Sequence, residues 1–216
     1  MSAKDALSAL EERRIKMEQF SDQLFDRDYM IWDNFISDNL VTTLNQKAKQ
    51  LIEQEKFRKA GIGASYMKQI KEDTRGDYIH WIDPSEATEP IQSFVKEIDF
   101  FIRFLNNRCY AGVRDFEMHF AFYPVGTRYA KHIDQLKING QRLFSVVCYL
   151  NKNWSERDGG ALRLYLKDQC VDVEPLAGRL VVFKSHLIPH EVLVTHNERI
   201  ALTGWLLNQP KTLTFV

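Results

Sequence analysis

The sequence has no apolar run long enough to span a bilayer, no excess of charge and no cysteine framework, and each absence removes a class of function. A transmembrane helix takes about 20 consecutive apolar residues, and the apolar stretches here are far shorter. Residues 1–17, where a secretion signal would sit, carry Glu, Arg and Lys in place of an apolar core. Neither a membrane protein nor an exported one is expected, and the compartment expected is the cytoplasm. Twenty-nine basic residues offset twenty-nine acidic ones, so there is no electrostatic reason to expect nucleic acid or an anionic membrane as partner. Cys109, Cys148 and Cys170 are odd in number and share no CxxC spacing, which fits reduced thiols better than a disulfide frame. Prolines number only six, and no repeat or low-complexity tract is present.

What is present is the composition of a packed globular chain. Hydrophobic residues make up 44% of the 216 positions, with fourteen phenylalanines among them, enough for one substantial core. The expectation is a single domain over residues 1–216. Residues 1–110 would be mainly helical support with a loop, and residues 111–216 a run of strands. Leu40, Val41, Leu44, Ala48, Leu51 and Ile52 recur at helical spacing after Ser37 and Asp38, either of which could cap the start. Ile91, Phe94, Val95, Ile98, Phe101, Ile102 and Leu105 repeat the period with a broader stripe, as in a helix laid on a sheet. Between them, residues 61–75 are Gly-rich and polar with no sustained period, and read as a loop.

The second half is strand-like. Segments 117–123, 143–150, 161–166, 178–183, 191–194 and 199–207 are short, aromatic or β-branched, and separated by turn signals. Residues 158–160 (Asp-Gly-Gly) and 195–198 (Thr-His-Asn-Glu) read as hairpin connections. Antiparallel strands after a helical block predict an α+β chain, a sandwich or jelly-roll barrel with helices on one face.

Four residues carry the chemistry. His132 and Asp134 are two apart, so on extended backbone both side chains point to one side. Alone, such a pair is more often chance or a surface hydrogen bond. A third ligand could come from His186 or His190, whose spacing of four would suit a zinc site on a helix. Pro189 opposes a helix there, so His190, at a strand entrance, is chosen, with His186 a loop residue. Two imidazoles and a carboxylate on one face of Fe(II) leave the other face open for an organic acid and dioxygen. Arg199 shares a strand face with Ala201, Thr203 and Trp205. An inward guanidinium needs an anion and matches a carboxylate bidentately, unless it pairs with Glu198 or another acid. Tyr123 and Tyr149 could donate hydroxyl hydrogen bonds into the same interior. His80 and His119 read as ordinary packed or surface residues.

Over roughly residues 61–207 the sequence resembles the iron(II) and 2-oxoglutarate dependent prolyl 4-hydroxylases, nearest to the hypoxia-inducible-factor prolyl hydroxylases and their bacterial relatives. The matching stretches are Arg75-Gly76-Asp77-Tyr78-Ile79-His80-Trp81-Ile82, Tyr123-Pro124 with Gly126-Thr127, and Tyr129-Ala130-Lys131-His132-Ile133-Asp134. Tyr149-Leu150-Asn151-Lys152 with Trp154, Gly159-Gly160-Ala161-Leu162-Arg163, Pro189-His190-Glu191-Val192 and residues 199–205 complete them. The resemblance implies a double-stranded β-helix, with iron on His132, Asp134 and His190. It puts the distal carboxylate of 2-oxoglutarate on Arg199 and Tyr149, with Thr203 near it and Tyr123 and Tyr129 in the pocket. Trp205 would line the site, and the loop ending at Arg75 and Asp77 would fold over a peptide substrate, with Asp77 pairing with Arg142 on closure. The implied reaction is hydroxylation of a prolyl residue at C4, coupled to decarboxylation of 2-oxoglutarate to succinate and CO2. Dioxygen would be the second co-substrate and L-ascorbate (vitamin C) the reductant.

The resemblance further implies a protein substrate with an exposed proline, elongation factor Tu in the bacterial group, and a monomer or weak homo-oligomer. Departures lie at Gln135, where the animal enzymes carry Asn, and in the loop at Ile138-Asn139-Gly140; both bear on substrate choice. Two alternatives stay open, namely the same centre oxidising a non-prolyl residue or a small molecule, and a non-catalytic metal-binding barrel.

Overall fold

The computed structural model describes residues 3–61, 74–83, 88–135 and 140–210, with side chains from residue 11 onward. Most of the loop expected at 61–75, and Ile138 and Asn139, lie outside the described residues. Among the described residues three α-helices, α1 (Ala3–Arg27), α2 (Asp38–Glu53) and α3 (Glu89–Cys109), support eleven strands. These are β1 (Tyr29–Trp32), β2 (Arg58–Lys59), β3 (Tyr78–Trp81), β4 (Asp115–Tyr123), β5 (Tyr129–His132), β6 (Arg142–Tyr149), β7 (Leu162–Tyr165), β8 (Cys170–Val173), β9 (Leu180–Lys184), β10 (His190–Val192) and β11 (Arg199–Leu207).

Both periodic segments fold as helices. Ser37 caps α2, its hydroxyl accepting from the Leu40 N–H, and Val41, Leu44, Ala48 and Leu51 are buried along one stripe. Pro90 in the first turn starts α3, which buries Ile91, Phe94, Ile98, Phe101 and Leu105. The N-terminal helix α1 packs on the same layer: Met17 and Leu24 are fully buried, Phe20 stacks on Trp32, and Arg13 pairs with Glu97 of α3.

The major sheet runs β1-β9-β6-β11-β4-β3-β2 and the minor sheet β5-β10-β7-β8, with every pairing antiparallel. From β4 onward the chain alternates between sheets, apart from the β7–β8 hairpin, and this winding is the double-stranded β-helix expected. Among the described residues the two sheets do not close into one continuous hydrogen-bonded barrel. The alternation corrects two expectations. Residues 158–160 and 195–198 are not hairpins; they carry the chain from β6 to β7 and from β10 to β11, each time from one sheet to the other. Gly159 and Gly160, both at positive φ, make the first crossing. Strands β1 and β8 escaped the sequence reading because each is four residues long and lies at a sheet edge.

Period-two alternation sorts β11 between two cores. Ile200, Leu202 and Leu206 join the cluster under the helices, whereas Ala201 joins the cluster between the sheets, with Tyr123, Tyr149 and Phe183. The second cluster surrounds the site. In the middle of β11, Gly204 lies so close to β4 that an added Cβ would fall 1.8 Å from the Glu117 carbonyl oxygen. Gly204→Ala is therefore expected to cost about 3 kcal/mol of stability by overpacking, read as a lowered urea midpoint; an unchanged midpoint would mean the two strands separate freely there.

Candidate active site

Strand register builds the site. His190 on β10 is the direct cross-strand partner of His132 on β5, and their ring centroids are 4.2 Å apart. Asp134 lies two residues beyond His132, in a bend past the end of β5. Its carboxylate oxygens are 3.5 Å from His132 Nε2 and 3.6 Å from His190 Nε2. One donor atom from each of the three residues lies within 4.8 Å of the others, the spacing of ligands that converge on one ion. Ser185–Pro189 is not helical and His186 is exposed, so the zinc-type arrangement with His186 is ruled out.

The second contacts fit a metal as well. His132 Nδ1 lies 2.8 Å from the Ala130 carbonyl and His190 Nδ1 3.1 Å from the Ile188 carbonyl. Each Nδ1–H donates to its carbonyl, which leaves the Nε2 lone pair free for an ion. Burial pushes His190 below its ordinary pKa, against the pull of Asp134. Burial also works against the Asp134 charge, but His190, His132 and the Ser145 hydroxyl outweigh it and hold the carboxyl well below the usual range. A neutral His190 beside an ionised Asp134 is the combination of protonation states that binds metal. Ser145 donates to Asp134 Oδ2 at 2.6 Å and touches the Ser185 hydroxyl at 2.9 Å.

Deeper between the sheets, Arg199 is 2% exposed, and among the described residues no carboxylate lies within salt-bridge range of it, Glu198 included. Its Nε donates to the Gly160 carbonyl at 2.9 Å. The guanidinium carbon lies 4.9 Å from the Tyr123 ring centre and 5.1 Å from that of Tyr149. The Tyr149 hydroxyl is buried without a hydrogen-bond partner among the described residues, and burial keeps it protonated. A Cβ at Gly160 would fall 3.1 Å from Arg199 Cδ, so glycine leaves the guanidinium its room. A buried cation and a buried donor, neither matched by a carboxylate among the described residues, can together receive an organic anion. The Thr203 hydroxyl donates to the Val146 carbonyl at 3.0 Å, which leaves its lone pairs toward the interior.

At the mouth, Arg75 forms a two-point ion pair with buried Asp77, at 2.7 and 3.0 Å. Its guanidinium carbon sits 4.4 Å over the Tyr129 ring, and Tyr129 stacks on His132 at 3.7 Å. The Asp77–Arg142 pair expected on closure over a peptide is not formed without one. Arg142 donates instead to Glu117 at 3.0 Å and to the Asp134 carbonyl at 3.2 Å, and its guanidinium lies 3.4 Å over the Trp205 ring. Arg75 is two residues from Asp77 in sequence and occupies both carboxylate oxygens. The sequence reading missed Ser145, Ser185, Gly160 and His119. Period-two parity could have found two of them: Ser145 shares a face of β6 with Tyr149, and His119 a face of β4 with Tyr123.

Removing the Ser145 hydroxyl leaves Asp134 without its orienting donor. Ser145→Ala is expected to weaken Fe(II) binding about 10- to 100-fold, measured by competition with a chelator; unchanged affinity would mean that the carboxylate needs no such support.

Comparison with known proteins agrees with the geometry. Residues 118–207 match the model of the 2OG-Fe(II) oxygenase superfamily. A prolyl-4-hydroxylase from Pseudomonas putida has 36% identity and a TM-score of 0.81, covering 89% of this chain and 99% of its own. A prolyl hydroxylase from Trichoplax adhaerens, solved with a hypoxia-inducible-factor peptide, has 28% identity and a TM-score of 0.83, covering 93% and 92%. The hypoxia-inducible factor prolyl hydroxylase of Caenorhabditis elegans is 31% identical over 195 residues, 84% of this chain but only 27% of that protein's length. Fold, triad and whole-length likeness together place this chain in the 2OG-Fe(II) oxygenase superfamily, as a member of its prolyl hydroxylase family.

Proposed function

We propose that the chain hydroxylates a prolyl residue at C4 in a protein substrate, converting 2-oxoglutarate and dioxygen to succinate and CO2. One oxygen atom enters the prolyl C–H bond and the other enters succinate, so the two substrates share the four-electron reduction of dioxygen. His132, Asp134 and His190 hold Fe(II), which when bound supplies the activation of dioxygen. Arg199 and Tyr149 hold the distal carboxylate of 2-oxoglutarate, Tyr123 flanks it, and Thr203 lies nearby. L-ascorbate serves as reductant. Arg75, Asp77, Tyr129, Arg142 and Trp205 form the peptide side of the site. The observation that carries this reading is the buried, carboxylate-free Arg199 with the orphaned Tyr149 hydroxyl, between the same two sheets that hold the triad.

The side chains serve to bind, orient and exclude water; no general base is required, because the cofactor and co-substrate carry the oxidation. Burial keeps Tyr123, Tyr129 and Tyr149 protonated as donors. The chain acts as a single oxygenase domain, with residues 1–110 supporting residues 111–216, as a cytoplasmic monomer or weak homo-oligomer. Among the described residues no helix is long and apolar enough to cross a membrane. Elongation factor Tu is the candidate target by resemblance to the bacterial group.

The test is aerobic succinate release with Fe(II) and ascorbate, with and without prolyl peptides, including one from elongation factor Tu. Peptide-stimulated turnover, one added oxygen on proline and loss of both in His190→Ala are expected. An added oxygen on another residue would select oxidation of a non-prolyl target, and iron binding without turnover would select a non-catalytic barrel.

A further inference from the structure

Glu117, His119, Ala121 and Tyr123 alternate onto one face of β4, the face that Ala121 and Tyr123 turn to the core between the sheets. His119 stands opposite Thr203 on β11 and Trp81 on β3. It is 2% exposed, with its ring 4.6 Å from that of Trp81 and 5.8 Å from that of Trp205. Trp205 is held on another side by Arg142, which reaches the Asp134 backbone carbonyl. One wall thus runs from the triad's carboxylate residue to Trp81, whose residue is 46% exposed at the rim.

Among the described residues two polar atoms in this wall have no partner: His119 Nδ1 and Trp205 Nε1, both buried. An unmatched buried donor or acceptor costs about 1–3 kcal/mol, and native structures leave few of them. If His119 were core filling alone, a leucine of similar bulk would serve there without that cost. Burial pushes the imidazole down to about 3, against the pull of Asp134 and with Arg75 and Arg142 adding to it. At neutral pH it is therefore uncharged, with one N–H and one lone pair. An indole N–H donates only. Together the two rings offer one donor and one acceptor, which complements a main-chain amide. In a prolyl peptide the amide before the proline has no N–H, so the amide after it is the adjacent group that has both a carbonyl and an N–H.

We propose that His119 is a specificity-determining residue that, with Trp205, hydrogen-bonds the main-chain amide following the proline to be hydroxylated. This rests on the prolyl-peptide reading above. Binding must open the wall enough to admit the amide, since both atoms are covered in the unbound protein.

The experiment uses the prolyl peptide that the wild-type enzyme turns over, and its depsipeptide with an ester in place of that amide. Each is assayed by succinate release with wild type, His119→Leu, and His119→Asn, which keeps a polar atom near the position of Nδ1. The ester is expected to raise the wild-type KM about tenfold, with kcat changing less than about twofold, the effect of losing one hydrogen bond of roughly 1.4 kcal/mol. His119→Leu is expected to raise the amide KM similarly and to stop discriminating amide from ester, whereas His119→Asn recovers most of both. The anaerobic absorption band of the Fe(II)–2-oxoglutarate complex is expected in all three proteins. Equal wild-type KM for amide and ester overturns the proposal, as does a His119→Leu enzyme that still discriminates. Loss of the band in His119→Leu makes the residue structural and also overturns it. A wild type that turns over no prolyl peptide overturns the function reading, and this proposal with it.

Discussion

A guanidinium buried between two sheets without a carboxylate is the constraint on which the site depends. Removing an ion from water costs several kcal/mol even after relaxation, and Arg199, at 2% exposure, meets the Gly160 carbonyl and the faces of two tyrosines among the described residues, with no carboxylate to offset that cost. Its surroundings follow from this. Gly160 leaves room for the side chain, Tyr149 keeps a hydroxyl in reserve, and the two sheets exclude water that would otherwise solvate the charge. On the proposed function, a dicarboxylate would balance that charge at one end and leave its other end for a metal.

The metal end is arranged by backbone pairing rather than by side-chain adaptation. Because β5 and β10 are antiparallel and in register at His132 and His190, the two imidazoles meet as cross-strand neighbours. Asp134 comes from the bend that follows, where the chain is free to turn its carboxylate back toward both rings, and Ser145 fixes it from the neighbouring sheet. The segment at Thr74–Asp77 is tied to the same strand: Ala130 N–H donates to the Thr74 carbonyl and Gly76 N–H to that of Arg128. Arg75, Tyr129 and His132 then stack in sequence, so the Thr74–Asp77 segment and a triad histidine share one support.

Much of this was legible in the sequence, for physical reasons. The helical stripes of α2 and α3 were readable because a helix with one covered face repeats its apolar residues at helical period, and β11 because its two faces meet different cores, one apolar and one holding Arg199 and Thr203. The choice of His190 over His186 followed from the chemistry of Pro189. What was not legible depended on long-range pairing. Residues 158–160 have the composition of a hairpin, and only the alternation between sheets makes them a crossing. Arg142 is held by Glu117 and the Asp134 carbonyl, partners brought to it by strand pairing and not by spacing. His119 looked ordinary because burial and an unmatched nitrogen are properties of the fold, not of the residue.

The most direct measurement is anaerobic binding of 2-oxoglutarate to the Fe(II)-loaded protein, set against a 2-oxo acid of similar length that lacks the distal carboxylate, in wild type and Arg199→Met. If Arg199 anchors that carboxylate, the wild type binds the dicarboxylate roughly 100-fold more tightly, as a charge-assisted hydrogen-bonded pair implies, and the difference vanishes in Arg199→Met. Equal affinity for the two acids in the wild type would contradict it and leave the buried cation without a ligand.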